Sequence, residues 1–178
     1  SFSYSNFEVG AWGAYQLGRD ASQPLADEID FYLGYGFEIG SSTLDLLVTD
    51  YYFPNAGTKF GNFNDSSGAH IIEIGGTLSL SDFYLSGYVN IYNESDNSSY
   101  FEVGYSTSIQ SVDLTLFAGA TPGGAEMYYG TDSFNVVNLG ITASKEIKIT
   151  EDFSLPIFGS YILNPNKEIA HIVFGISL

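Results

Sequence analysis

Hydrophobic and polar positions alternate along most of this chain. From Glu168 to the end, Ala170, Ile172, Phe174, Ile176 and Leu178 fall on one face, with His171, Val173, Gly175 and Ser177 on the other. A period of two is the signature of a β-strand, whose successive side chains point to opposite sides. The same alternation sets Ile29, Phe31, Leu33, Tyr35, Phe37 and Ile39 against Glu28, Asp30, Tyr32, Gly34, Gly36 and Glu38. It recurs with Phe83, Leu85, Gly87, Val89 and Ile91 against Tyr84, Ser86, Tyr88, Asn90 and Tyr92, and with Phe101, Val103, Tyr105, Thr107 and Ile109 against Tyr100, Glu102, Gly104, Ser106 and Ser108.

Ten strands are predicted, over residues 5–18, 27–39, 43–53, 69–80, 83–93, 99–109, 111–120, 134–145, 153–163 and 168–178. Each is near the roughly 9–11 residues that a tilted strand needs to cross a bilayer. Tight turns at Gly40-Ser41-Ser42, Ser81-Asp82 and Gln110 alternate with longer loops at Arg19–Ala26, Pro54–Gly68, Asn93–Ser98 and Thr121–Ser133. Glu146–Asp152 is a longer turn on the short side. Short turns on one side and long loops on the other belong to an outer-membrane barrel, with the short turns periplasmic. The expected fold is therefore all-β: a single antiparallel up-and-down transmembrane β-barrel of about ten strands (8–12) over residues 1–178. An even strand number puts both termini on the periplasmic side.

The face compositions decide which side faces out. A water-facing sheet is usually dressed with Lys and Glu. Here the polar face carries Gly, Ser, Thr, Asn and Tyr, as a narrow interior requires, while the large residues suit lipid. Asp50 falls on the apolar face, at the expected membrane edge. Phe7, Tyr15, Phe37, Tyr52, Phe83, Phe134, Phe153 and Tyr161 stand near strand ends, where aromatic girdles form.

Charge and composition narrow the picture further. Five basic residues oppose 21 acidic ones for a net charge of −16, which excludes nucleic-acid binding by phosphate neutralisation. The acidity keeps loops solvated or draws cations toward them. Cysteine is absent, so there is no disulfide framework and no thiol chemistry. No run of 18 apolar residues predicts a transmembrane helix. Ser1-Phe-Ser-Tyr4 has no leader character and reads as the start of a processed chain.

The segment Phe134–Thr150, followed by Phe153-Ser-Leu-Pro-Ile-Phe-Gly-Ser-Tyr161, Asn164-Pro165 and the ending Val173-Phe-Gly-Ile-Ser-Leu178, resembles the small outer-membrane barrels of Bacteroidetes known as the TorF-type porin group. Glu28–Glu38 and Leu44–Pro54 fit the same group. The resemblance implies an outer-membrane location, contact with outer-membrane lipid or lipopolysaccharide, and a channel role. It implies no catalytic residues and no cofactor. The chain ends in Leu rather than the Phe frequent in proteobacterial porins.

Carboxylates collect on the polar face. Asp30, Glu73 and Glu102 are expected inward at the loop half, and Glu8, Glu38, Asp45 and Asp113 inward near the turn half. An ionised carboxylate in a dry, unpaired site is prohibitively costly. Either a wet lumen hydrates them and favours cations, or hydrogen bonds from Tyr32, Tyr84, Tyr88 and Tyr100 hold them in a plugged one. A divalent site is the third reading, without calcium-loop spacing to support it. Ten strands lie close to the side-chain-filled end of barrel sizes, so only ions or very small solutes are expected to pass.

His70, at a loop edge, and His171, expected inward near Ser160, form no Ser/His pattern and read as structural. No enzyme activity is expected. Thr121–Gly130 is Gly-rich but lacks the Lys and context of a phosphate loop. Phe60, Phe63, Tyr128 and Tyr129 either pack over the barrel mouth or form a partner surface. The expected function is a narrow, cation-preferring channel. The alternative is a non-conducting accessory barrel docked on a larger outer-membrane complex, for which small outward residues such as Ala11, Gly13, Gly76 and Gly87 suit close packing.

Overall fold

Tight turns and alternation together fix a long antiparallel meander. The computed structural model describes residues 1–18 and 27–177; the predicted Arg19–Ala26 loop and Leu178 lie outside them. Its strands are β1 (Phe2–Tyr4), β2 (Phe7–Ala14), β3 (Glu28–Ile39), β4 (Ser42–Tyr52), β5 (His70–Leu80), β6 (Phe83–Tyr92), β7 (Ser99–Ile109), β8 (Val112–Thr121), β9 (Asn135–Lys148), β10 (Ser154–Asn164) and β11 (Ile169–Ile176). One short helix, α1 (Glu126–Tyr129), lies between β8 and β9. All eleven strands join one up-and-down sheet in sequence order. Ile39 pairs with Ser42, Leu80 with Phe83 and Ile109 with Val112 across two-residue turns. Gly40, Ser81 and Gln110 take the left-handed conformation at the first turn position (φ 66°, 56° and 58°).

Three expectations are corrected. The predicted first strand, 5–18, is broken at both ends. Ser5 is left-handed (φ 55°), and Asn6 bonds Gly36 through both its backbone and its side chain, so Phe2–Tyr4 folds back on β2 as a separate short strand. Asn and Ser tolerate such a turn because their short polar side chains bond local backbone. Beyond Ala14 the strand ends, and Asp27 accepts from the Gln16 amide at 2.8 Å. The count is therefore eleven, and the parity argument for the termini does not hold. Among the described residues no ladder joins β1 to β11, so the sheet is not closed into a barrel. The third correction is local. A bulge places Tyr92 opposite Ile72, and the Tyr92 hydroxyl donates to the Phe63 carbonyl at 2.6 Å, putting Tyr92 on the apolar side. One extra residue in a strand reverses which face the next side chain occupies.

The sheet is strongly curled. The Asn166 amide, between β10 and β11, donates to the Tyr129 carbonyl at 2.8 Å, and Lys167 Nζ donates to the Tyr128 carbonyl at 3.3 Å. Yet Tyr128 and Met127 share a cavity wall with Glu28 of β3. In a flat sheet the seven steps from β3 to β10 span about 34 Å at ~4.8 Å each. A four-residue helix is only about 6 Å long. The two rims can meet at α1 only if the sheet rolls, with its polar face concave.

Burial runs opposite to that of a water-soluble domain. Among the described residues the buried hydrophobic side chains are Ala69, Ile71, Ala125 and Val137, while Asp30, Thr49, Asn90, Glu94, Ser98 and Ser160 are buried polar ones. Leu33, Leu85, Phe101 and Ile172 are half or more exposed. At the tight-turn end of the outer face, aromatic rings meet edge-on or tilted: Phe7 with Tyr35 (4.6 Å), Tyr35 with Phe37 (4.7 Å) and Phe83 with Tyr105 (4.8 Å).

Candidate functional site

The concave face is built from tyrosines laid over glycines. A Cβ on Gly10 would meet the Tyr32 ring at 2.4 Å; on Gly75, Tyr88 at 2.2 Å; on Gly104, Tyr84 at 2.0 Å; on Gly119, Tyr100 at 1.9 Å. Each glycine sits across the ladder from its ring or one pair along. Removing the Cβ lets a large ring lie flat on the backbone, so a curved sheet fills its own concavity. Four of the 20 glycines and four of the 14 tyrosines pair in this way.

The ring hydroxyls are then delivered to carboxylates. Glu102 accepts from Tyr84 Oη at 2.7 Å, from Tyr100 Oη, and from Asn138 Nδ2 at 3.1 Å; Asn138 also reaches Tyr100 Oη at 2.8 Å. Three strands, β6, β7 and β9, thus converge on one carboxylate. Glu73 accepts from Tyr51 Oη at 2.8 Å, and Glu8 from Tyr32 Oη at 3.4 Å. Tyr88 instead reaches Thr77 Oγ1, at 3.2 Å. Charge-assisted bonds of this kind are the strong ones.

The carboxylates fall into separate groups. Asp30 lies at the loop end near Glu28 and interacts with Glu73, while Glu102 keeps to its own cluster. Asp30 Oδ1 is buried with no partner, as is Asn90 Oδ1 opposite Glu73. At the turn end, Asp113 accepts from Ser108 Oγ at 2.5 Å, Asp45 lies across from Gly36, and Glu38 is exposed opposite Thr43. Among the described residues no three His, Asp or Glu side chains are placed to hold a metal ion.

Helix α1 covers the loop end. Burial pushes the Tyr128 hydroxyl well above its usual range, with Glu94, Glu28 and Glu73 adding to the shift. Burial likewise pushes Tyr129 up to about 12, with Glu73 and Glu102 contributing. Tyr129 stacks on Tyr100 at 5.8 Å, linking the helix to the Glu102 cluster. Both tyrosines pack over the concavity. Phe60 and Phe63 do not; they cover the outer face.

His70 explains that arrangement. It is fully buried on the apolar side, Nδ1 2.8 Å from Asp50 Oδ1 and Nε2 2.5 Å from the Phe60 carbonyl oxygen. Phe63 stacks on the ring at 3.8 Å and Tyr52 at 5.3 Å. Both ring nitrogens are engaged, so His70 pins the 53–69 loop and satisfies the outward Asp50. The spacing of Phe60 and Phe63 from His70 gave no hint of this return, because a loop carries no periodicity. His171 is exposed on β11 opposite Ile162, while Ser160 bonds Thr142 at 2.8 Å.

Residues 2–155 match the Gcw_chp family model, described as a bacterial protein of unknown function. No curated protein and no solved structure matches the chain.

Proposed function

The chain belongs to the Gcw_chp family, whose description carries no activity, and we propose from its architecture that it is a small outer-membrane β-barrel protein forming a narrow, cation-preferring path. The observation that carries this reading is the inverted burial: polar side chains inside the curl, large apolar ones outside. Fully burying one Leu, Ile, Val or Phe is worth about 1.5–3 kcal/mol. A dozen left fully in water would forfeit roughly 18–36 kcal/mol, more than the ~5–15 kcal/mol by which domains are stable. A hydrocarbon surround removes that deficit. Strands of 10 to 12 residues, such as β3 to β8, fit a tilted crossing of the bilayer. Within the bilayer an open sheet edge is not tolerated, so the reading includes a seam closed between β11 and the β1–β2 edge.

Cation preference follows from Asp30, Glu73 and Glu102 on the concave face, where no Lys or Arg among the described residues pairs with them. Tyrosines on glycines narrow the path to ions and very small solutes. The test is conductance in a planar bilayer under a KCl gradient. Small cation-selective steps, reduced in Asp30→Asn and Glu102→Gln, are expected; silence from protein shown folded by heat-modifiable gel mobility overturns the channel.

A second reading, a non-conducting accessory barrel, is favoured by β11. This strand is exposed on both faces along nearly its whole length, with Phe174 81% and Ile172 67% exposed. A stoichiometric partner retained in mild detergent would support it.

A further inference from the structure

His70 is fully buried, and each of its ring nitrogens faces an acceptor. Nδ1 lies 2.8 Å from Asp50 Oδ1 and 3.0 Å from Oδ2, while Nε2 lies 2.5 Å from the Phe60 carbonyl oxygen. A carbonyl oxygen has no proton to give, so Nε2 carries one. In a neutral imidazole the lone pair is then at Nδ1, aimed at a second acceptor. Two arrangements avoid that clash: a proton on Asp50, or a second proton on the ring. The ring is the stronger base, since an ordinary imidazole holds its proton to about pH 6.5 and an ordinary Asp only to about 3.9. Nδ1 also lies close to both Asp50 oxygens, as one N–H shared by a carboxylate does, whereas a carboxylic acid offers its O–H from one oxygen. Both arguments put the proton on the ring.

The surroundings suit a cation. Phe63 stacks on the ring at 3.8 Å and Tyr52 at 5.3 Å, and aromatic faces attract positive charge. Among the described residues the titratable groups facing His70 are Asp50 and Tyr52, both from β4. The 53–69 loop presents Phe60 and Phe63, and Asn93, just past β6, donates to the His70 carbonyl at 2.9 Å. Two of these contacts, the Phe60 carbonyl and the Phe63 ring, are what hold the loop. Losing the second ring proton would leave a lone pair against an acceptor in a fully buried site, where an unmade hydrogen bond is most costly. We infer that a proton latches the 53–69 loop: His70 is an imidazolium while the loop is docked, and the loop is released when the ring gives that proton up. Docking is strongest in acid and weakens as pH rises. The latch is independent of whether the protein conducts.

Lys59 is exposed within the loop and supplies a cleavage site that reports docking. Folded protein in detergent micelles is treated with a lysine-specific protease from about pH 6 to about pH 10, a range that brackets the ordinary imidazole. Cleavage after Lys59 is divided at each pH by the rate on an unstructured peptide. It is expected to quicken about tenfold or more across the range, in step with the loss of one His70 ring proton followed by ring-nitrogen NMR. His171→Gln, on β11, removes the second histidine signal and leaves the profile unchanged. His70→Ala is expected to be cleaved fast at every pH. Asp50→Asn keeps the ring but removes its counter-charge, and is expected to be cleaved about tenfold or more faster than wild type already at about pH 7. Each variant is accepted only with wild-type heat-modifiable mobility. A wild-type rate that stays flat, a ring that turns neutral while the loop stays protected, or the same acceleration with pH in His70→Ala overturns the inference.

Discussion

At the scale of single residues, the unit of this molecule is a tyrosine lying on a glycine with its hydroxyl on an acid. Gly104, Tyr84 and Glu102 show the coupling: an added methyl at Gly104 would sit 2.0 Å from the Tyr84 ring, whose hydroxyl is 2.7 Å from Glu102. Gly104→Ala must displace the ring, and overpacking of this sort costs about 1–3 kcal/mol. It is expected to lower the unfolding midpoint in micelles by that amount, and Tyr84→Phe combined with it should add little further, since both lose one bond. Glu102→Ala strands three donors at once and is expected to destabilise more than Glu102→Gln, measured the same way.

Tyr129 supplies the pH dependence at this scale. Its pKa is pushed up to about 12 in the folded protein, against about 10 unfolded. The folded state thus holds the proton longer than the unfolded one. Its stability contribution is fully present below pH 10 and lost as pH rises from 10 toward 12. Phenolate absorbance should show one tyrosine fewer titrating near pH 12 in Tyr129→Phe. An unchanged titration curve would remove Tyr129 from the buried set.

At the scale of elements, the strands were legible and the returns were not. Ile29 to Ile39 and Phe83 to Ile91 alternate cleanly, and β3 and β6 begin and end within a residue or so of the predicted bounds. The β1 fold-back escaped because Phe2-Ser3-Tyr4-Ser5 alternates up to the turn and Phe7-Glu8-Val9 after it, with only the polar pair Ser5-Asn6 marking the break. Helix α1 escaped because four residues carry no helical period. The carboxylates Asp30, Glu73 and Glu102 could be placed on a face by counting in twos. That Glu102 gathers Tyr84, Tyr100 and Asn138 could not, because it depends on the register between strands. The 53–69 loop gives a prediction proper to elements. His70→Ala removes the Phe63 stacking and the Asp50 bond that hold it. Protease cleavage within 53–69 is expected to quicken about tenfold or more, roughly the ~1.4 kcal/mol of one lost anchor. Amide protection in β7 to β9 should not change.

At the scale of the whole molecule, the sheet has a tight middle and loose margins. β5 to β9 are paired on both sides and covered on their concave face, whereas β11 and much of β2 are exposed on both faces. On the proposed closure, hydrogen exchange in micelles should find β11 amides about as protected as those of β7 and β8, because the outer edge of β11 is then hydrogen-bonded to β2. Far weaker protection of β11 would mean that the edge stays open and would overturn the closed seam.

Every strand in this sheet pairs only with its neighbours in sequence. The entropy of closing a long loop is therefore avoided in nearly every pairing, and low contact order favours rapid formation. Hairpins can zip one onto the next as the chain is delivered, each complete before its successor arrives. The docking of Tyr128 and Tyr129 among Glu28, Glu73 and Tyr100 demands distant partners, and the proposed closure of the last strand on the first would demand another. Both belong to the final act of assembly. A stalled intermediate of this protein would be a nearly finished ribbon with two sticky margins, the species most prone to capture by another sheet before it meets itself.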